Sequence, residues 1–253
     1  MSAISSGAAV IERGDLTMTE GTRHYRVPIS RAIGARDISQ SISIYSEGMS
    51  PARRNPVGEE VIYVVSGSGV CYIDGYTYPL EPGTAVYIPP GSISQIENLD
   101  ERGRRVSDLE IVSVCCPEDQ EAEAGIDPIV RAPHDTKPFR TVRERDVEPI
   151  RAGDRSFKLL VNQEIGSKRV TQFVGLIPPG RAPMHHHTYE EAIYVIEGTG
   201  VLHSDNGDMK FKSGSSIYLP RMVSHCLENT GSSNIRLLGV FHPSGSPAAI
   251  YDD

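Results

Sequence analysis

Residues 59–69 read EEVIYVVSGSG, and residues 190–200 read EEAIYVIEGTG. The second stretch repeats the first at an offset of 131 positions, and the correspondence runs without a gap from 59–98 to 190–229. Gly67 and Gly69 return as Gly198 and Gly200. Gly83, Tyr87, Pro89 and Asn98 return as Gly214, Tyr218, Pro220 and Asn229. Turn glycines kept at matched spacing within one chain mark a duplicated unit. Each copy reads as strands: a β-branched and aromatic run, G-x-G, a second run, then a hairpin signal at Asp74-Gly75 or Asp205-Asn206-Gly207. A glycine turn and a short apolar strand ending at proline follow in both copies (YTYPLEPGTAVYIPPG and MKFKSGSSIYLPRM). Helical periodicity is weak throughout, so the fold class is all-β, with one antiparallel barrel or sandwich per copy.

The 253 residues accommodate two such units, and the absence of Trp with 24 Gly and 18 Pro suits short strands and tight turns. The expected layout is a flexible N-terminal tail over 1–25, a first barrel over 26–116, an acidic Pro- and Gly-containing linker over 117–140, and a second barrel over 141–253. The net charge is −8 and no Lys/Arg stripe occurs, which argues against a nucleic-acid partner. No apolar run reaches the length of a membrane span, and MSAISSGAAVIERGD lacks the charged start and apolar stretch of a secretory leader. Cys71, Cys115, Cys116 and Cys226 suggest no disulfide framework, so a cytoplasmic location is expected.

The second copy carries its chemistry in Gly180–Glu191, GRAPMHHHTYEE. Side chains alternate faces along a strand, so His185, His187 and Glu191 share one side while His186 and Glu190 take the other. A further histidine, His225, follows Gly214 and Pro220 on a separate strand. A lone histidine on a strand is ordinarily a surface or packed residue, but two imidazoles and a carboxylate on one face, met by a third imidazole, form a set suited to a divalent transition metal. Subtracting 131 places Arg54, Pro56, Glu60 and Ser94 at the same positions of the first copy. Guanidinium stays protonated and proline offers no ligand atom, so no metal is expected there. The first barrel is expected to serve pairing or assembly, with anion binding at Arg53 or Arg54 as the alternative. Ile193 and Val195 should line the second lumen with Glu191; Gln172 is either a polar contact beside it or a solvated side chain, since its facing is not fixed by the sequence. Tyr194, Cys226 and Asn229 read as packing or structural residues; Tyr194 and Asn229 recur as Tyr63 and Asn98.

Residues 180–198 and 214–229 resemble the two motifs of the cupin superfamily, G(x)5HxH(x)3–4E(x)6G and G(x)5PxG(x)2H(x)3N. Two departures occur. Only four residues separate Gly180 from His185, and Met222 stands where the second motif has glycine, which puts the turn before His225 in question. The resemblance implies two tandem jelly-roll barrels, with one metal per chain held by His185, His187, Glu191 and His225. Manganese or iron is favoured; nickel, cobalt, copper and zinc are also compatible. The ligand set is similar to that of germin- and quercetinase-type cupins, which implies a dioxygenase-type oxidoreductase acting on a small oxygenated substrate. The bicupin layout also resembles ureidoglycine aminohydrolases, which use manganese, so a non-redox isomerase, decarboxylase or hydrolase is the alternative. A non-catalytic binding or structural cupin is the third reading. The resemblance further implies a homo-oligomer, a dimer or larger, although two barrels of one chain can cover each other's edges.

Overall fold

A computed structural model describes residues 7–99, 107–118, 122–129, 132, 134 and 136–247. It is built of strands with three short 3-10 turns and no α-helix among the described residues. Two seven-stranded antiparallel sheets have the same strand order. One runs Ala9–Ile11, Ser216–Leu219, Glu190–Glu197, Ile235–His242, Thr171–Ile177, Arg155–Val161, Ile150–Ala152. The other runs Thr141–Arg143, Thr84–Ile88, Glu59–Ser66, Leu109–Cys116, Ser39–Tyr45, Arg23–Ile29, Met18–Glu20. A smaller sheet closes each barrel, one through Ile93–Asn98 and the other through His225–Asn229. The G-x-G of each copy is explained by crowding. Gly67 and Gly198 have positive φ, and a Cβ on Gly69 or Gly200 would lie 2.4 or 2.2 Å from a neighbouring carbonyl oxygen.

The two barrels exchange strands. Ala9–Ile11 pairs with Ser216–Leu219 of the second barrel, and Thr141–Arg143 pairs with Thr84–Ile88 of the first. The exchange keeps the internal offset, since Val10 faces Ile217 while Thr141 faces Val86. The layout expected from sequence therefore needs correction at both seams. Residues 9–11 and 18–20 are ladder strands, because each supplies backbone partners to an otherwise open edge; residues 1–6 lie outside the described part. Within 117–140, Glu123–Ile126 pairs with Ala52–Arg54.

Three apolar cores result. Ile193, Val195, Phe173 and Phe241 fill the second lumen, and Ile62, Val64, Ile111 and Tyr78 fill the first. The third lies between the barrels and includes Val61, Tyr63, Val112, Val174, Ala192, Tyr194 and Val240. Alternation explains the division: Val61 and Tyr63 face the partner barrel while Ile62 and Val64 face inward.

Buried carboxylates fasten this interface reciprocally. Glu190 accepts the amides of Arg36, Asp37 and Ile38 at 2.8, 2.8 and 3.2 Å, and the Tyr218 hydroxyl. Glu59 accepts the amides of Lys168 and Arg169 and the Ser167 hydroxyl at 2.9, 3.0 and 3.0 Å. Each glutamate thus grips the loop after a 3-10 turn of the other barrel. Tyr63 and Tyr194 also cross the interface, donating to Glu144 and Glu110. Gln172 is placed here, neither beside the lumen nor in solvent as the sequence allowed, because it shares parity with Val174. It is fully buried, and neither side-chain polar atom has a hydrogen-bond partner among the described residues. Its counterpart Gln40 is met by the Ser216 hydroxyl, whereas the position equivalent to Ser216 is Ala85.

Replacing Gln172 by leucine should raise the unfolding free energy by about 1–2 kcal/mol in urea titrations, since it removes a buried unpaired amide at similar volume. A loss of stability would show that the amide is satisfied in solution. Burial works to raise the pKa of Glu144, but hydrogen bonds from Arg236 and Tyr63 and the Arg236 charge hold it below the usual carboxylate value. Its contribution is present above the unfolded carboxylate pKa and disappears as pH falls through the lower folded value. The stability difference between wild type and Glu144→Gln should therefore shrink between about pH 6 and pH 3. A difference that grows on acidification would contradict this assignment.

Candidate metal centre

His185, His187 and His225 converge at one end of the second barrel, with one ring nitrogen of each within 4.8 Å of the others. His185 and His225 form an antiparallel cross-strand pair, exchanging N–H···O bonds of 3.0 and 2.8 Å, which sets both side chains on one face. The chain is not one continuous strand from His185 to Glu191. It bends at Thr188–Tyr189, and the long strand begins at Glu190. The bend carries the chain from the small sheet to the large one. From Glu190 onward, alternation directs Glu190 to the barrel interface and Glu191 to the lumen, as parity requires. His186 lies outside the triad and is half-buried.

The ring orientations are fixed from behind. His185 and His225 present Nδ1 to the carbonyls of Pro183 and Val223 at 3.1 and 2.8 Å. With the proton held on Nδ1, the Nε2 lone pair faces outward and is available to a cation. Burial pushes His225 down to about 4 and lowers His185 as well, which keeps both neutral near pH 7. His187 stacks on Tyr189, which stacks on Phe241, with centroids 4.3 and 4.2 Å apart. Its Nδ1 is buried without a hydrogen-bond partner among the described residues, 3.4 Å from Oε2 of Glu191. Two imidazoles kept neutral by burial, and a third whose ring nitrogen is orphaned beside a carboxylate, fit a divalent cation.

The triad opens into a cavity of about 120 Å³. Its wall is apolar, with Phe157, Phe173, Ile177, Leu219 and Leu237 prominent, and Arg155 is its one cationic residue among those described. Arg155 is tied to the Leu227 carbonyl at 3.2 Å, and Asp154 lies 3.9 Å away. Sequence reasoning missed Arg155, Tyr189 as a ring support, and Gly239. A Cβ at Gly239 would lie 2.4 Å from the Phe173 ring and 2.9 Å from Oε1 of Glu191, so the glycine leaves room for both. The internal repeat contained one usable signal: Arg155 occupies the strand position of Arg23, since Arg155–Val161 and Arg23–Ile29 are equivalent strands. Among the structural readings, Cys226 is fully buried, and Asn229 donates to the Ile177 and Ser233 carbonyls as Asn98 donates to that of Tyr45.

Met222 does not disrupt the turn before His225. It adopts φ +61° and donates its amide to the His187 carbonyl at 2.7 Å, whereas the equivalent Gly91 has φ +79°. The left-handed conformation costs a residue with a Cβ about 1–2 kcal/mol, partly offset by the greater freedom of glycine in the unfolded chain. Met222→Gly should therefore raise stability by up to about 1 kcal/mol, read from the urea midpoint. A clear loss would show that Met222 contributes packing that outweighs its backbone strain.

The comparisons agree with this architecture. The Cupin domain family model matches residues 43–108 and 173–241, together more than half of the chain. An uncharacterized protein of Methanocaldococcus jannaschii is 34% identical over 70 residues, covering 27% of this chain and 56% of that protein, so the chain spans just over half of that relative. An oxalate-binding protein of Thermotoga maritima is 28% identical over 109 residues, covering 39% of this chain and 90% of that protein. Among solved structures, a point mutant of Bacillus subtilis oxalate decarboxylase superposes with a TM-score of 0.75 at 16% identity, covering 96% of this chain and 78% of that one. Protein Ylba from E. coli gives 0.70 at 15%, covering 94% and 91%. No helix among the described residues is long and apolar enough to cross a membrane. With both copies matched and both barrels closed, the chain belongs to the cupin domain family as a two-barrel member.

Proposed function

We propose that the second barrel is a metal-dependent oxidoreductase site of dioxygenase type, acting on a small oxygenated acid. The observation that carries this reading is the convergence of His185, His187 and His225, with Glu191 behind His187, on an apolar cavity holding one guanidinium. His185, His187, Glu191 and His225 would hold one divalent ion, manganese or iron in preference to nickel, cobalt, copper or zinc. When bound, the ion supplies Lewis-acid and redox chemistry at the positions the protein leaves open. Arg155 would receive the substrate carboxylate, because a guanidinium offers paired donors to a planar anion. Phe157, Phe173 and Leu237 exclude water from the reacting end. Tyr189 and the Pro183 and Val223 carbonyls hold the imidazoles in place, so that little reorganisation accompanies reaction.

A decarboxylase is the second reading, favoured by the similarity to an oxalate-binding protein and by the oxalate decarboxylase fold. Decarboxylation must deliver a proton to carbon. Apart from Glu191, the described lining residues include no carboxylic acid to carry one, whereas inserting dioxygen asks for no such donor.

Elemental analysis of protein purified without chelator should find close to one transition-metal ion per chain, and close to none in His225→Ala. Unchanged metal content in that variant would reject the ligand assignment. With a panel of oxalate, malonate, pyruvate and acetoacetate, substrate loss should consume oxygen in proportion. Arg155→Met should raise KM at least tenfold with a smaller change in kcat. Turnover that proceeds without net oxygen consumption would remove the dioxygenase reading and leave the decarboxylase.

A further inference from the structure

The first barrel has an open cavity of its own, about 370 Å³ against about 120 Å³ beside the histidine triad. Strand register shows how its wall differs from that of the second barrel. Ser113 pairs with Ser41 where the second barrel pairs Gly239 with Phe173, and Ser43 stands where the second barrel has Gly175. Beside the apolar core of the first barrel, this part of the wall is hydroxylated where that of the second barrel is apolar. Arg23 donates from Nε to Ser43 at 2.9 Å and from Nη2 to Ser41 at 3.0 Å, and the Ser41 and Ser113 hydroxyls are 2.8 Å apart. Arg23 is only 4% exposed and Glu60 8%, so these polar groups are part of the interior. These groups satisfy one another, and because a hydroxyl can donate once and accept twice, the Ser41 and Ser113 hydroxyls keep capacity for a further hydrogen bond.

The charges select the partner. Arg23 faces Glu20 at 3.6 Å, Arg53 faces Glu60 at 3.8 Å, and Glu118 is engaged by Arg31 at 2.5 Å. The first separation exceeds hydrogen-bond length, so the Glu20 carboxylate keeps capacity to accept from a further partner. Among the described residues the charges nevertheless fall in opposite-sign pairs. An anion drawn to either arginine would meet a carboxylate, and a metal ion drawn to either glutamate would meet a guanidinium. A neutral molecule bearing several hydroxyls suffers neither penalty, because each hydroxyl both donates and accepts. Val27 and the Tyr25 ring, which carries the Arg23 guanidinium over one face at 4.1 Å, add carbon surface to the wall.

We infer that the metal-free first barrel binds a neutral polyhydroxylated small molecule, of monosaccharide or polyol type, in this chamber. The inference is independent of the reaction at the second barrel. Isothermal titration of the full chain with D-glucose, D-galactose, D-xylose, L-arabinose and myo-inositol, run beside sodium malonate and sodium citrate, tests it. Saturable binding of at least one neutral member is expected. It should persist in His225→Ala and weaken at least tenfold in Ser41→Phe, which places the second barrel's side chain in the first. Where Ser41→Phe fails to fold, the double variant Ser41→Ala/Ser113→Ala removes hydroxyls without adding bulk and should weaken binding by a similar factor. Saturable binding by the anions alone, by none of the panel, or equally in wild type and folded variants would overturn the inference.

Discussion

Alternation along a single strand ties the two halves of this protein together. Glu190 and Glu191 are neighbours, so a strand must send them to opposite faces. One reaches three backbone amides of the other barrel, and the other enters the lumen beside His187. Any shift of register by one residue would exchange these destinations, placing the inter-barrel carboxylate in an apolar cavity and the lumen carboxylate at the interface. The interface and the candidate metal centre are therefore set by the same local geometry.

That coupling is reinforced by electrostatics in a dry environment. The amide-bound glutamates and the Tyr63–Glu144–Arg236 cluster are buried or half-buried charges with defined partners. Such groups are worth little as net stabilisation but strongly disfavour alternative packings, in which they would be left unpaired. Exchange of Ala9–Ile11 and Thr141–Arg143 adds backbone pairing to the same contact. The two barrels thus bury their large sheets against each other in the manner of two subunits.

Duplication supplied two equivalent lumens, and substitution has separated them. The strand positions of Arg23 and Arg155 carry arginine in both copies, while the facing residues went to serine in one and to phenylalanine and glycine in the other. Gly91 and Met222 show the converse, an unchanged backbone turn with a changed residue. Backbone geometry has been held while side-chain chemistry diverged, as expected when ladder hydrogen bonds fix the scaffold and lumen residues answer only to volume and polarity.

The internal repeat, the all-β class, the histidines and the inward course of Glu191 were all legible in the sequence, because strand period and turn glycines are local properties. The strand exchange was not: Ala9–Ile11 is too short to carry a pattern, and its partner lies more than two hundred residues away. Gln172 and Arg155 could not be placed either, since facing depends on which sheet covers each side of a strand. Nor does sequence separation reveal that Gly239 makes room for Phe173 and Glu191. Sequence by itself determined which residues could bind a metal and how each strand alternates. Only the tertiary structure decided which face became lumen and which became interface, because that choice rests on contacts between segments that the chain's local chemistry does not encode.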